Sequence, residues 1–221
     1  MSAYYPVFLN LHDRACIVVG GGVIAERKVR YLLECGGKVT VVSPAVTAEV
    51  EALAQQGLLV WEPRRYREGD LTGAFLAVAG TDDTSVNQEV AAEANREKVL
   101  LNVVDVPALC DFIAPAIVER GPVTVAISTS GTSPALARRL REEMENQEQC
   151  TCLSWADAAE LLKEVRLDLR SRNIRAAPDH WQACMTDDVL DLVHSGHAEE
   201  ARRKLIQSLE LGATPLVAGE A

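Results

Sequence analysis

Residues 15–42, ACIVV-GGG-VIAERKVRYLLECGG-KVTVV, limit the fold more than any other part of this chain. ACIVV (15–19) has no polar residue, so it reads as a strand buried on both faces. After the glycines, Val23, Ala25, Val29, Leu32 and Leu33 fall on one helical stripe, and Gly36–Gly37 end the helix. KVTVV (38–42) is a second strand of the same kind. Two such strands joined through a helix must run parallel. The pattern continues with a helix through TAEVEALAQQG, with Val46, Val50, Leu53 and Ala54 inward. It goes on with strands at LLVW (58–61), FLAVAG (75–80) and VLLNVV (99–104), and a helix over 86–96. The expectation is an α/β fold, a parallel sheet covered on both faces.

The character changes further on. After IAPAIVERG, read as part of a connection, PVTVAIST (122–129) predicts another strand. SPALARRLREEME predicts a helix with Ser133 as N-cap, Pro134 at its first position, and Leu136, Leu140 and Met144 on one face. From about 147 onward the pattern is helical throughout, with no β signal, and TPLVAGEA (214–221) is expected to fray. The predicted division is a sheet domain over 1–113, a segment over 114–148 and a small helical domain over 149–221.

Charge and cysteine content narrow the function. The chain of 221 residues carries 22 Lys and Arg against 32 Asp and Glu, a formal charge of −10, which argues against nucleic acid as a partner. A polyanionic substrate would need a local basic or amide-rich pocket. No apolar run approaches the ~20 residues of a membrane span, and MSAYYPVFLNLHDR lacks a signal-peptide pattern, so a cytoplasmic protein is expected. Cys16, Cys35, Cys110, Cys150, Cys152 and Cys184 are expected to be reduced thiols. CTC at 150–152 could join His180 and Cys184 around a metal, but the spacing fits no standard zinc pattern, and no metal site is expected. His180, His194 and His197 read as surface residues.

Gly20, Gly22 and Ala25 make G-x-G-x-x-A between a strand and a helix, the context that gives this motif meaning in a Rossmann-type fold. Gly20 permits the tight turn, Gly22 lets backbone approach a pyrophosphate, and Ala25 allows close packing of helix on strand. Ser43, before Pro44 and Ala45, stands where an acid usually holds the ribose. A serine can still bond a ribose hydroxyl, and no adjacent arginine is present for a 2′-phosphate, so NAD is expected over NADP. Thr81 either caps a helix or touches the cofactor, and Asp82 and Asp83 read as a solvated turn. Asp105 follows the fifth strand and can accept a proton while a hydride leaves; the competing reading is an Asx turn or cap. In AISTSGTSPALARRLR (126–141), hydroxyls precede a helix N-terminus and Arg138, Arg139 and Arg141 follow. Ser128, Ser130 and Thr132, with Asn102, are assigned to a substrate rich in carboxylates. The three arginines also fit a solvated basic helix face, which is the better reading for them alone.

The stretches YPVFLNL, VVGGGVIAERKVRYLLECGGKVTVVSP, AGTDDTSVNQEV and NVVDVPALCDFIAPAIVERGPVTVAISTSGTSPALARRLR, in order over residues 4–145, resemble precorrin-2 dehydrogenase. This is the dehydrogenase module of siroheme synthase, also found as a stand-alone protein. The resemblance implies oxidation of precorrin-2 by NAD to sirohydrochlorin in siroheme biosynthesis, with Asp105 as the implicated acid. It implies cofactor contacts at Val23, Ile24, Pro44 and Ala45, and a homodimer built by swapping residues 114–148. Some members also insert Fe²⁺, and a bifunctional enzyme with Fe²⁺ as second substrate is one alternative. Fused members often read SSGGTSP, and their phosphoserine position aligns with Thr129 here. With no methyltransferase domain in view, a separate protein is expected to supply precorrin-2. The other alternative is an NAD(H)-sensing module without chemistry, which would need neither Asp105 nor the hydroxyl loop.

Overall fold

The computed structural model describes residues 4–146, 150–211 and the backbone of 214–215. The chain divides into two compact units, Met1–Ala114 and Pro115–Ala221.

In the first unit, strands β1 (Ala15–Val19), β2 (Lys38–Val42), β3 (Val60–Glu62), β4 (Leu76–Ala79) and β5 (Leu100–Val103) form one parallel sheet in the order β3-β2-β1-β4-β5. Helices α1 (Val23–Glu34), α2 (Ala48–Gln55) and α3 (Thr84–Glu97) connect them. Successive strand residues point to opposite faces, and two separate cores result. Val18, Val41 and Val78 pack with Val29 and Val50 on one face; Val19, Ala77, Ala79, Leu101 and Val103 pack with Leu71, Val90 and Ala94 on the other. Each buried valine or leucine contributes about 1.5–3 kcal/mol before the entropy of ordering is set against it. The unbroken apolar runs follow from this: both faces of every central strand are covered.

The α1 stripe departs from expectation at one end. Ala25, Val29 and Leu32 are buried, but Val23 is 65% exposed, because it opens the helix beside the glycine loop, clear of the packed face.

In the second unit, β6 (Ala116–Arg120) and β7 (Val123–Ile127) form an antiparallel hairpin closed at Gly121 and Pro122, with Ala116 opposite Ile127. The 122–129 run therefore pairs with the preceding segment, which is a strand and not a connection. Helix α4 (Pro134–Glu145) packs on this hairpin through Ala137, and Ser133 Oγ accepts from Leu136 N at 3.2 Å as the expected cap. A 3-10 turn (Ser154–Ala158) leads into α5 (Ala159–Ser171), followed by β8 (Ile174–Arg175), α6 (Pro178–Cys184), α7 (Asp187–His194), α8 (Ala198–Leu211) and β9 (Thr214–Pro215). Val165, Leu169, Cys184, Leu205 and Leu209 form their core. The short pairing of β8 with β9 was not expected from sequence. Neither was the break at Met185–Thr186 between α6 and α7, where Asp187 and Asp188 supply acid to a new first turn. Of the tail expected to fray, residues 216–221 lie outside the described residues. Among the described residues, no helix is long and apolar enough to cross a membrane.

Candidate active site

The carboxyl ends of β1, β2, β4 and β5 share one edge of the first unit, and the glycine loop lies there. Gly20 has φ +114°, and its N–H donates to Val42 O at 3.0 Å. A Cβ on Gly20 would sit 2.6 Å from Gly80 O, so the loop presses on the end of β4. A Cβ on Gly21 would sit 2.1 Å from Ala45 O, and Gly21 O accepts from Thr47 N at 3.0 Å. Gly21 therefore clasps the β2–α2 loop, a role that the G-x-G-x-x-A spacing does not disclose.

Gly22 is different. A Cβ there would meet nothing within 4 Å. It is the N-cap of α1 and has no side chain to satisfy the helix. The first intrahelical bond is Glu26 N to Gly22 O, at 2.9 Å. The amides of the first turn are thus left for a ligand, at the positive end of the helix dipole. Val23 and Ile24 are exposed beside them, whereas Ala25 is buried, 3.6 Å from where a Gly80 Cβ would stand.

Ser43 is buried, and its Oγ donates to Ala45 O at 2.7 Å. Trp61 Nε1 donates to Ser43 O at 2.9 Å. The Ser43 hydroxyl proton folds the turn that holds Pro44 and Ala45 exposed. Thr81 is half-buried, with Oγ1 accepting from Asp83 N at 3.1 Å and its carbonyl accepting from Asn87 Nδ2 at 3.0 Å. The cap of α3 is Asp83, which accepts from Ser85 N at 3.0 Å, so Asp83 is more than a solvated turn residue. The hydrogen bonds from Ser85 and Val86 hold its carboxyl below the usual carboxylate range. Asn87 is buried, and its Oδ1 has no partner among the described residues.

Asp105 stands two residues past β5, in a turn closed by Val106 N to Val103 O at 3.2 Å. Its φ is +59° and its side chain is exposed. Its backbone forms a turn at the carboxyl edge of the sheet. Residues 109–112 fold back to hold it. Asp111 Oδ2 accepts from Leu101 N at 3.0 Å, and Cys110 Sγ lies 3.2 Å from both N and O of Val103. Asn102 is buried and donates from Nδ2 to Phe112 O at 3.0 Å. Its amide nitrogen thus holds the Asp105 loop, a task different from the substrate contact expected of it. Cys110 and Asp111 carried no sequence signal beyond their closeness to Asp105.

In the second unit, Ser128, Ser130 and Thr132 are exposed on one loop. Thr129 and Ser133 shape it: Thr129 Oγ1 accepts from Ser133 N at 3.1 Å and donates to Ser133 O at 3.0 Å. Arg138, Arg139 and Arg141 pair with Glu142, Glu143 and Glu145 one turn on, at 2.7, 2.6 and 3.1 Å. They form the solvated helix face. His180 Nε2 lies 3.0 Å from Ser208 O and 3.7 Å from Cys184 Sγ, and no three metal-ligating side chains cluster among the described residues. His194 is 3.1 Å from Asp157 Oδ2, and His197 Nδ1 is 3.0 Å from Ser195 Oγ.

Two family models match this chain: "Putative NAD(P)-binding" over residues 7–116 and "Sirohaem biosynthesis protein central" over residues 120–147. A siroheme synthase of Methylococcus capsulatus is 39% identical over 216 residues, 95% of this chain and 44% of that protein. One of Thioalkalivibrio sulfidiphilus is 37% identical over 211 residues, 95% of this chain and 42% of that protein. This chain thus spans less than half the length of these curated relatives. A solved structure titled "SirC, precorrin-2 dehydrogenase" superimposes with a TM-score of 0.70 at 28% identity, over 94% of this chain and all of that one.

Proposed function

This chain belongs to the siroheme synthase family, and from that premise we propose that it dehydrogenates precorrin-2 to sirohydrochlorin with NAD. The observation that carries the reading is the sheet edge of the first unit. An uncapped helix N-terminus stands beside Gly22, where no side chain intrudes. An exposed carboxylate, Asp105, follows β5, two strands and so about 10 Å from β1.

The residues present fit a dinucleotide. Gly22, Val23 and Ile24 would hold the pyrophosphate on backbone amides, with Gly20 setting the tight turn beneath it. Pro44 and Ala45, in the turn set by Ser43, would flank the ribose, and Thr81 would meet the other half. No cation stands in 43–46, which favours NAD over NADP. When bound, NAD accepts the hydride. Asp105 takes the proton released with it, from an exposed position that a substrate can reach. Exposed hydroxyls at Ser128, Ser130 and Thr132 suit the carboxylates of precorrin-2.

We assign residues 1–113 to cofactor binding, 114–148 to dimerisation and 149–221 to a helical domain. The homodimer is supported by a hairpin of only two strands and by Leu136, 49% exposed on the apolar face of α4. Reduced thiols fit a cytoplasmic enzyme.

The deciding experiment is anaerobic turnover of enzymatically generated precorrin-2. Sirohydrochlorin should form only with NAD, one NADH for each product. Bound NAD without turnover would overturn the reading and favour a sensor. Fe²⁺ added in a second stage tests it as a further substrate, through acceleration of siroheme formation over the uncatalysed rate.

A further inference from the structure

Cys150-Thr151-Cys152 lies between α4 and the Ser154–Ala158 turn, in the second unit. The two sulfurs are 2.6 Å apart, closer than two unbonded sulfurs normally approach. The tripeptide is held at both ends. Cys150 N donates to Asn146 O at 2.9 Å, and Thr151 O accepts from Ser154 N at 3.0 Å and from Ser154 Oγ at 2.7 Å. Cys152 is exposed and Cys150 half-buried, so a small oxidant reaches both.

We propose that Cys150 and Cys152 are a redox-active dithiol, a modification site separate from the dehydrogenase chemistry, which a peroxide closes to a disulfide.

The pair is asymmetric. The neighbouring Cys152 sulfur lowers the Cys150 thiol below its usual range, against a weaker opposing field from Glu143, and Cys150 in turn raises Cys152. Cys150 is therefore the attacking thiolate and Cys152 the resolving thiol. Three of the other thiols are less suited. Cys16 and Cys184 are buried, and burial pushes both up. Cys110 is engaged with Val103 and Val106. Oxidation follows thiolate character and access.

In the first step the Cys150 sulfur attacks one peroxide oxygen. The O–O bond breaks, and with hydrogen peroxide the departing oxygen takes a proton and leaves as water. Cys150 is then a sulfenic acid. In the second step the Cys152 sulfur attacks the Cys150 sulfur. The S–O bond breaks, and the hydroxyl leaves with the Cys152 proton as a second water. Two thiols have lost two electrons and two protons, and one peroxide has become two waters.

The test treats the full chain with hydrogen peroxide, alkylates the remaining thiols and maps them by mass. The expected first product has lost two thiols and two hydrogens, both from the peptide holding 150–152, and dithiothreitol restores it. Cys152→Ser should halt at a sulfenic acid that dimedone traps on Cys150, and Cys150→Ser should leave Cys152 unmodified over the same exposure. Both positions border solvent, and far-ultraviolet circular dichroism verifies that the variants fold. Oxidation of Cys35 or Cys110 ahead of this pair would overturn the proposal. So would dimedone on Cys152 in the native chain, or a product that dithiothreitol does not reverse.

Discussion

A carboxylate at φ +59° sits where a side chain with a Cβ costs about 1–2 kcal/mol, and Asp and Asn are the side-chain types that tolerate it best. Asp105→Asn therefore keeps the turn and removes the base. Its melting temperature should match the parent and its KM for NAD should hold. Its kcat should fall by roughly 10²–10⁴, the worth of a positioned general base. Steady-state kinetics on precorrin-2 decide this, and an unchanged kcat removes Asp105 from the chemistry. The adjacent glycines separate fold from function just as sharply. Gly21→Ala puts a methyl 2.1 Å from Ala45 O, and overpacking of that kind costs about 1–3 kcal/mol. Gly22→Ala meets nothing within 4 Å and keeps an ordinary backbone, φ −78°. It should melt like the parent, yet raise the KM for NAD roughly tenfold, about 1.4 kcal/mol of binding, by filling space a pyrophosphate needs. Wild-type NAD affinity in Gly22→Ala would refute the pyrophosphate placement.

Between β3 and β4 the chain lacks the helix a parallel crossover usually carries, and a buried acid from α3 anchors the connection instead. Glu93 of α3 is 2% exposed. It accepts from Gly69 N at 3.0 Å, from Leu71 N at 2.9 Å and from the Tyr66 hydroxyl, so it anchors residues 66–71 of the connection. Burial first, and this carboxylate second, push the Tyr66 hydroxyl far above its usual range. Glu93→Leu strands three donors. The expected loss is about 3 kcal/mol, or a melting temperature roughly 6–12 °C lower for a chain of this size, and Glu93→Gln should recover part of it. No signal for this existed in the sequence, because a glutamate in a polar helix reads as solvated. The five strands were legible because their runs are apolar on both faces. The hairpin was not, because Ala116–Arg120 alternates only weakly and adjoins Pro115. At the site, Gly20, Gly22 and Asp105 were legible as residue types at a strand end. Ser43 and Asn102 lie where the sequence places them, but the Ser43 hydroxyl and the Asn102 amide nitrogen each donate to a backbone carbonyl, and the sequence does not disclose which way a buried donor points.

Each unit must hold together over the range of conditions the protein meets, and assembly is the first part of that. If the Leu136, Leu140, Met144 face of α4 meets a second copy, Leu136→Asp should convert a dimer to a monomer in light scattering while leaving helix content intact. The second part is charge. In the Pro115–Ala221 unit, Asp157 ties the hairpin to the helices: Arg120 Nε reaches its Oδ1 at 2.7 Å, and His194 Nε2 lies 3.1 Å from its Oδ2. Hydrogen bonds from Arg120 lower the Asp157 carboxyl below its ordinary value, and His194 adds to this. A carboxyl lowered in the folded state is protonated first in the unfolded one. Its contribution is therefore present above the unfolded value, about pH 4, and is lost as pH falls through the lower folded value. The side chain is about a third exposed, so solvent screens the pair and the effect is modest. Asp157→Asn should be less stable than the parent at pH 7, and the gap should close progressively as pH falls below about 4, the unfolded value. Urea midpoints across that range read the difference directly. A gap that persists at low pH would mean that Asp157 acts through packing and that its charge contributes little, leaving the Arg120 guanidinium to find water when the acid is gone.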